Sequence, residues 1–306
     1  MHKSVLIDQI TEYLKPDDGK SYIDGTFGAG GYSRNLLEAT NCNILSFDRD
    51  KNVIQFADEM KGKFNDRFNF ISSEFSNIKE CLGGQKFDAL ILDLGISSMQ
   101  IDQPERGFSF QKDSKLDMRM NQEQELSAFE VVNNTEEVEL ANIIYNYGDE
   151  RKSRIIAKKI VENRKIKKIE TTLELAGIIK KAIGFRGFSK IDSATKTFQA
   201  IRIFVNDELG QLEKILEDSK DILKKDGKLI VVSFHSLEDR IVKNFIKKNS
   251  DYQNRGKSRY SPDSLVINDQ EYPFSCKKLK AIKPTEEEIK ENIRARSARM
   301  RIAIRN

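Results

Sequence analysis

The stretch Asp24-Gly25-Thr26-Phe27-Gly28-Ala29-Gly30-Gly31 closes a short apolar run, Ser21-Tyr-Ile-Asp24, and opens a helical pattern. Glycines between a first strand and a first helix let backbone come close to a ligand and aim helix N–H groups at it. Asp48 ends the next apolar run, Asn43-Ile-Leu-Ser-Phe-Asp48, and lies 20 residues beyond Gly28. At that spacing an acid sits beside a ribose and accepts its hydroxyl protons. A dinucleotide fingerprint wants a third glycine three residues after Gly30, and Ser33 stands there instead. The carboxylate of Asp24, directly before the turn, would repel a pyrophosphate and suits an ammonium group. The turn chemistry therefore favours S-adenosylmethionine over NAD. A glycine turn that only joins strand to helix is the plainer alternative.

Working outward, Phe68-Asn-Phe-Ile71 and Phe87-Asp-Ala-Leu-Ile-Leu-Asp93 read as third and fourth strands. Between the second and third strands residues 51–63 carry Val53, Ile54, Ala57 and Met60 on one helical face. Strand and helix alternating at this spacing predict a parallel sheet covered on both faces. The alternation stops near Glu105, and residues 136–147, 151–164 and 171–183 read as amphipathic helices. It resumes with a helix over 208–223, the turn Lys224-Lys-Asp-Gly227, a buried strand over 228–234 and a final strand over Arg299–Arg305. The expected architecture is an α/β doubly wound sheet interrupted by a helical insert. Residues 1–104 and 199–306 form the sheet domain and 105–198 the insert. Residues 251–285 read as loop. Ligands of a doubly wound sheet sit beyond the carboxyl ends of its strands. Asp24, Asp48 and Asp93 should therefore converge there, although an acid after a strand is also a common helix N-cap.

The whole chain is 306 residues, 38% hydrophobic and 33% charged, with a net charge of +4. That is a globular composition long enough for one large domain or two. Three scattered cysteines give neither a disulfide framework nor a metal knuckle, and two distant histidines give no zinc motif, so no metal is expected. No apolar run is long enough to span a membrane, and no apolar core follows Lys3 as in a signal peptide, which predicts a cytoplasmic protein. Charge is unevenly spread. Residues 151–168 hold nine Lys or Arg and one acid, Glu162, whereas 104–150 hold four basic and eleven acidic residues. Such a run is commonly a solvated helix face, and it is also what phosphate contact requires. Lys158, Lys159 and Lys165 are the candidates there. Arg255-Gly-Lys-Ser-Arg-Tyr260 and the arginines of 294–305 are further ones, with Arg299, Arg301 and Arg305 alternating as one face of a strand.

Several segments together resemble one family: His2-Lys-Ser-Val-Leu-Ile7, Asp24 to Ser33, Leu92-Asp-Leu-Gly-Ile-Ser-Ser98, Glu105-Arg-Gly-Phe-Ser-Phe110 and Leu116-Asp-Met-Arg-Met120. Thr197-Phe-Gln-Ala-Ile-Arg-Ile-Phe-Val-Asn206, Val232-Ser-Phe-His-Ser-Leu-Glu-Asp-Arg-Ile-Val-Lys243 and Arg294-Ala-Arg-Ser297 complete the series. In order, and over nearly the whole chain, they resemble the ribosomal RNA small-subunit methyltransferase H family, also called MraW. The resemblance implies a Rossmann-like class I methyltransferase fold with an inserted substrate-recognition domain. It implies S-adenosylmethionine as methyl donor and N4 of a cytidine in 16S ribosomal RNA of the small ribosomal subunit as target. The family's cofactor contacts carry over to Gly30, Gly31, Tyr32, Asp48 at the ribose, Phe75 beside the adenine, Asp93 and Gln100. Tyr32 stands where the family usually has His. Ser193 and Lys196 stand where Pro and Arg are usual, and Lys keeps the charge but not the bidentate fork.

Methyl transfer from an activated donor asks the protein chiefly to position the nucleophile. The N4 lone pair of cytosine is delocalised into the ring, so an acceptor on its N–H raises its electron density. Asp93 is the catalytic candidate for that role. The base must be unstacked first, and the loops Gly107-Phe-Ser-Phe110 and Ser233-Phe-His-Ser236 are candidate pocket walls. Phe108, Phe110, Asp117, Arg119 and His235 are accordingly substrate candidates, although the two phenylalanines equally suit a core and a lone His is commonly structural. Two other classes stay open at this point. One is a dehydrogenase, disfavoured by the missing third glycine, and the other is a non-catalytic RNA-binding or assembly factor on the same scaffold.

Overall fold

The structure is a computed structural model and describes residues 4–184, 192–251 and 271–306. His2 and the basic segment 255–260 lie outside the described residues. The chain divides into two compact units, residues 1–95 with 209–306, and residues 96–208. In chain order the elements are α1 (Ile7–Leu14), β1 (Ser21–Asp24), α2 (Gly31–Ala39), β2 (Asn43–Asp48), α3 (Ile54–Phe64), β3 (Phe68–Ser72), α4 (Ile78–Cys81) and β4 (Phe87–Asp93). Next come α5 (Ser98–Asp102), α6 (Ala128–Asn134), α7 (Glu137–Gly148), α8 (Ser153–Arg164), α9 (Thr172–Ile183) and α10 (Thr195–Asn206). The chain closes with α11 (Glu208–Ile222), β5 (Leu223–Ser233), α12 (Ser236–Lys248), β6 (Phe274–Ser275), α13 (Glu286–Glu291) and β7 (Arg299–Arg305).

In the first unit the seven strands run in the order β3-β2-β1-β4-β5-β7-β6. Strands β1 to β5 are parallel, and β7 runs antiparallel to both β5 and β6. Burial of both faces explains the unbroken apolar run Leu90-Ile91-Leu92 in β4. Ile23, Leu90, Leu92, Leu229 and Val231 pack with Phe245 and Ile246 of α12 and Leu212 and Leu216 of α11 in one core. The strand order reverses direction between β1 and β4, which is where such sheets bind ligands. Gly25 allows the ends of these two strands to close, because a Cβ there would meet Leu92 Cδ2 at 2.6 Å.

Two details depart from the pattern read off the sequence. The expected turn at Lys224–Gly227 is extruded within β5 rather than preceding it: pairing jumps from Phe87↔Leu223 to Ala89↔Lys228, with Asp226 left-handed at φ 63°. Strand β6 falls inside the stretch expected to be loop. It is two residues long and pairs Phe274 and Ser275 with the end of β7.

The second unit has its own core, with Val131, Leu140, Ile144, Ile156, Ile160, Leu175, Ile179 and Ile201 at its centre. Three of its helices, α5, α6 and α9, begin at capping boxes. Glu130 accepts the Ser127 N–H at 3.2 Å, and Thr171 Oγ1 accepts the Glu174 N–H at 3.3 Å. The segments 105–110, 116–120 and 197–206 are knitted into one knot. Arg106, 2% exposed, donates to the carbonyls of Arg119 and Met120, each at 3.0 Å. Asn206 donates to the Met118 carbonyl at 2.7 Å and accepts the Met120 N–H at 2.8 Å. These bonds, with the Arg202–Glu208 ion pair at 2.8 Å, hold the last turns of α10 in the helical unit. The joins accordingly fall at 95/96 and 208/209 rather than at the expected 104/105 and 198/199. None of the described helices is long and apolar enough to cross a membrane. No disulfide joins any two of the three cysteines.

Candidate functional site

Asp24, Asp48 and Asp93 terminate β1, β2 and β4, and the parallel register carries all three to one end of the sheet. The glycine turn lies above them. Gly28 (φ 54°) and Gly30 (φ 77°) are left-handed, which favours glycine. A Cβ on Gly30 would strike the Phe27 ring at 2.8 Å, and one on Gly31 would overlap Ser4 Oγ at 1.9 Å, whereas the Cβ direction of Gly28 is open to 4 Å. Asp48 secures the turn from below, accepting the N–H of Gly28 at 2.8 Å and that of Asp50 at 2.9 Å. Each carboxylate oxygen keeps a further lone pair for a ribose hydroxyl. Burial raises the Asp48 carboxyl above its ordinary value, against the pull of those N–H groups.

Asp24 differs from the expectation of a carboxylate presented to an ammonium group. It is 1% exposed and turned inward, accepting from Ser33 Oγ at 2.7 Å and from the Thr26 N–H at 3.3 Å. Ser33 also bonds Ser46 at 2.9 Å. The residue that replaces the third glycine is thus the brace of the turn. Burial pushes Asp24 up to about 6, with the Ser33 and Thr26 bonds opposing.

Asp93 is the group left with unused capacity. Its N–H donates to Thr26 Oγ1 at 2.7 Å, but its buried Oδ1 has no hydrogen-bond partner. Burial pushes its carboxyl up to about 8; the charges of Asp24 and Glu238 add to the rise, and the Tyr32 hydroxyl partly offsets it. Tyr32 itself is buried and donates its hydroxyl to the Val5 carbonyl at 2.5 Å. Its side chain therefore braces the N-terminal segment beside Asp93, and only its backbone remains for a cofactor. On the neighbouring strand end His235 caps α12. Its Nδ1 accepts the Glu238 N–H at 3.4 Å, which places the ring hydrogen on Nε2. That Nε2 is 3.1 Å from Glu238 Oε1 yet off the hydrogen-bond axis, and it too is buried without a partner. Glu238 holds the backbone here, accepting from the Phe234 N–H at 2.8 Å. Phe75 opens the turn after β3 and packs at the margin of the sheet core.

Apart from the arginines of β7, the remaining candidates lie in the helical unit and are largely engaged within it. Gln100 forms a capping box with Ser97, whose N–H it accepts at 3.0 Å, so its carbonyl oxygen serves α5. Phe108 and Phe110 pack against the helical core, Phe110 edge-on to Phe198 at 4.6 Å. Asp117 and Arg119 pair with each other at 2.8 Å, and Arg119 holds the Asp117 carboxyl below its usual range despite its burial. On α8 Lys158 is exposed and Lys159 pairs with Glu162 at 2.7 Å, while Lys165 is exposed just past its end. Lys152 and Arg164 of the same basic run are bound to main-chain carbonyls. Ser193 is half-buried before α10, and Lys196 donates to the Asp149 carbonyl at 2.8 Å. Of the strand arginines, Arg301 is 8% exposed and Arg305 is bonded to the Lys220 and Pro273 carbonyls, which leaves Arg299 as the accessible one. Sequence reasoning missed Thr26, Ser33 and Glu238. Only Ser33 carried a signal, as a hydroxyl where the dinucleotide pattern wants glycine.

A mostly parallel sheet with glycines, an acid at the ribose position and an orphaned carboxylate at the switch point suits a nucleoside-bearing methyl donor. The sequence pattern of the MraW methylase family matches residues 1–306. The chain belongs to the MraW methylase family. Relatives from Rickettsia bellii (strain RML369-C) and Rickettsia conorii, both called ribosomal RNA small subunit methyltransferase H, are 52% and 53% identical over 302 residues. The alignments cover 99% of this chain and 98% and 97% of those proteins. A solved rRNA methylase from Streptococcus thermophilus overlays the whole chain at 10% identity and a TM-score of 0.43. This methylase uses S-adenosylmethionine, and the open side of Gly28 and the spare lone pairs of Asp48 fit that group.

Proposed function

We propose that this methylase transfers a methyl group to N4 of a cytidine in 16S ribosomal RNA, as part of a small ribosomal subunit in the cytoplasm. The buried, unpartnered oxygen of Asp93 at the end of β4 carries the proposal. Bound S-adenosylmethionine supplies a methyl group already activated by its sulfonium. Gly30, Gly31 and the backbone of Tyr32 would hold its amino-acid end, Asp48 its ribose and Phe75 its adenine. Asp93 Oδ1 accepts an N–H of the cytosine amino group, which directs the N4 lone pair and stabilises the positive charge that develops there. Methylation of the amino group would release one N4 proton. Asp93, whose carboxyl burial raises to about 8, receives that proton in its ionised form, which gains ground as pH rises toward that value. His235 Nε2–H, at the next strand end, offers the donor that the ring acceptors of cytosine call for. Lys158 and Lys165 contact phosphate.

The test is transfer of labelled methyl from S-adenosylmethionine to purified small subunits and to naked 16S rRNA. Incorporation into at least one of them is expected, and an Asp93→Asn variant should keep cofactor binding while losing transfer. Incorporation into neither overturns the proposal.

A further inference from the structure

The first unit carries a cleft of about 420 Å³ built from five cations, Lys243, Lys280, Lys283, Arg299 and Arg301, over Leu279 and Ala281. Its construction is specific. Ile282 exchanges both main-chain hydrogen bonds with Met300, each at 2.9 Å, which lays residues 279–283 alongside the first half of β7. Arg301 also donates to the Leu279 carbonyl. Lys243 enters from α12, one turn beyond Asp239. Among the described residues Asp239 is the one carboxylate bonded into the group, taking Arg301 at 2.7 and 3.0 Å and Arg299 at 3.0 Å. It neutralises one of two arginines. Lys243, Lys280 and Lys283 are exposed and have no ion-pair partner among the described residues. Four uncompensated positive charges thus converge on a concave surface, where they repel one another and gain nothing from the fold. Such a surface focuses a positive field and suits a chain of phosphates.

Its place on the sheet names the occupant. Arg299 pairs in register with Ser233, whose hydroxyl donates to the Arg299 carbonyl at 3.2 Å, and Val232 pairs with Asp93. The cleft therefore opens at the same end of the sheet as Asp93, two strands away, or about 10 Å. We propose that this cleft holds the phosphodiester backbone of the RNA next to the nucleotide presented to Asp93. The inference rests on RNA being the substrate.

The test uses the full chain with Lys243, Lys280 and Lys283 all changed to Ala. RNA affinity is measured across a salt series, without turnover. Three lost single-strand phosphate contacts should lower the slope of log affinity against log salt by about 2. S-adenosylmethionine affinity and melting temperature should stay at wild-type values, since all three side chains are exposed. The matching Lys→Arg triple keeps the charge and should keep the slope. A wild-type slope in the Ala triple, or a lost slope in the Arg triple, overturns the cleft. Methyl incorporation by the wild type into the same RNA is scored separately. If the wild type incorporates methyl while the Ala triple keeps its slope, the cleft fails and the methylation proposal stands. If the wild type incorporates none into this RNA and none into small subunits, the methylation proposal fails, and the slope still decides the cleft.

Discussion

Asp93 concentrates the chemistry at the residue scale. Its carboxyl is pushed up to about 8 by burial, so in the empty protein it carries a proton at neutral pH. An acid with a raised folded value stabilises the fold fully below its unfolded value near 4, and that stability is lost as pH rises through about 8. Asp24, raised to about 6, acts in the same direction over the lower part of that window. Urea unfolding of the wild type should therefore show stability falling between about pH 4 and 8, and Asp93→Asn should flatten the upper half. A midpoint that does not move between pH 6 and 8 would contradict the buried-acid description. Turnover runs the other way. Transfer should rise with pH toward about 8 as Asp93 ionises, and Asp93→Asn should lower kcat by about 10²–10⁴-fold with little change in cofactor affinity. Tyr32 shows what a motif leaves out. The sequence places it at the cofactor, but whether its ring faces a ligand or the interior depends on where residues 4–6 return to the sheet. Tyr32→Phe removes the Val5 bond and should cost about 1 kcal/mol in unfolding free energy, with cofactor affinity within a few-fold of wild type.

At the scale of elements, the strands β1, β2, β4 and β7 stand at the residues that sequence periodicity predicts, because the first three are short apolar runs with clear punctuation and β7 alternates arginine with apolar residues. Strand β6 was not legible, since two residues have no period and its place depends on the partner β7. The motifs most specific to the family turned out to be architecture. Arg106, Gly107 and Asn206 tie distant segments of the helical unit together, and hydrogen-bond partners across such sequence distances are not written in either segment. Gly107 sits at φ 71°, and a Cβ there would meet the Lys115 carbonyl at 2.4 Å. Gly107→Ala should therefore destabilise the protein by about 2 kcal/mol or more, read as a fall in melting temperature. An unchanged melting temperature would remove this knot from the account.

Over the whole molecule, two units with separate cores divide the chain, one bearing the acids at the end of a parallel sheet and the other built of helices. The interrupted alternation of strand and helix made this division legible, and the hydrogen bonds of Arg202 and Asn206 set its limits where sequence could not. Charge was legible only as a run. Side-chain partners thin it, so of the three candidate lysines Lys158 and Lys165 stay exposed while Lys159 is shared with Glu162. Changing Lys158 and Lys165 to Ala should lower the salt slope of RNA binding by about 1.4, and an unchanged slope would clear this face of phosphate contact. The central claim concerns which atom receives the methyl group. Small subunits from a strain lacking this gene, treated with the protein and S-adenosylmethionine and digested to nucleosides, give the most direct measurement by mass spectrometry. The account predicts a single new product, N4-methylcytidine. Methyl on a ring carbon, on a ribose or on another base would contradict it.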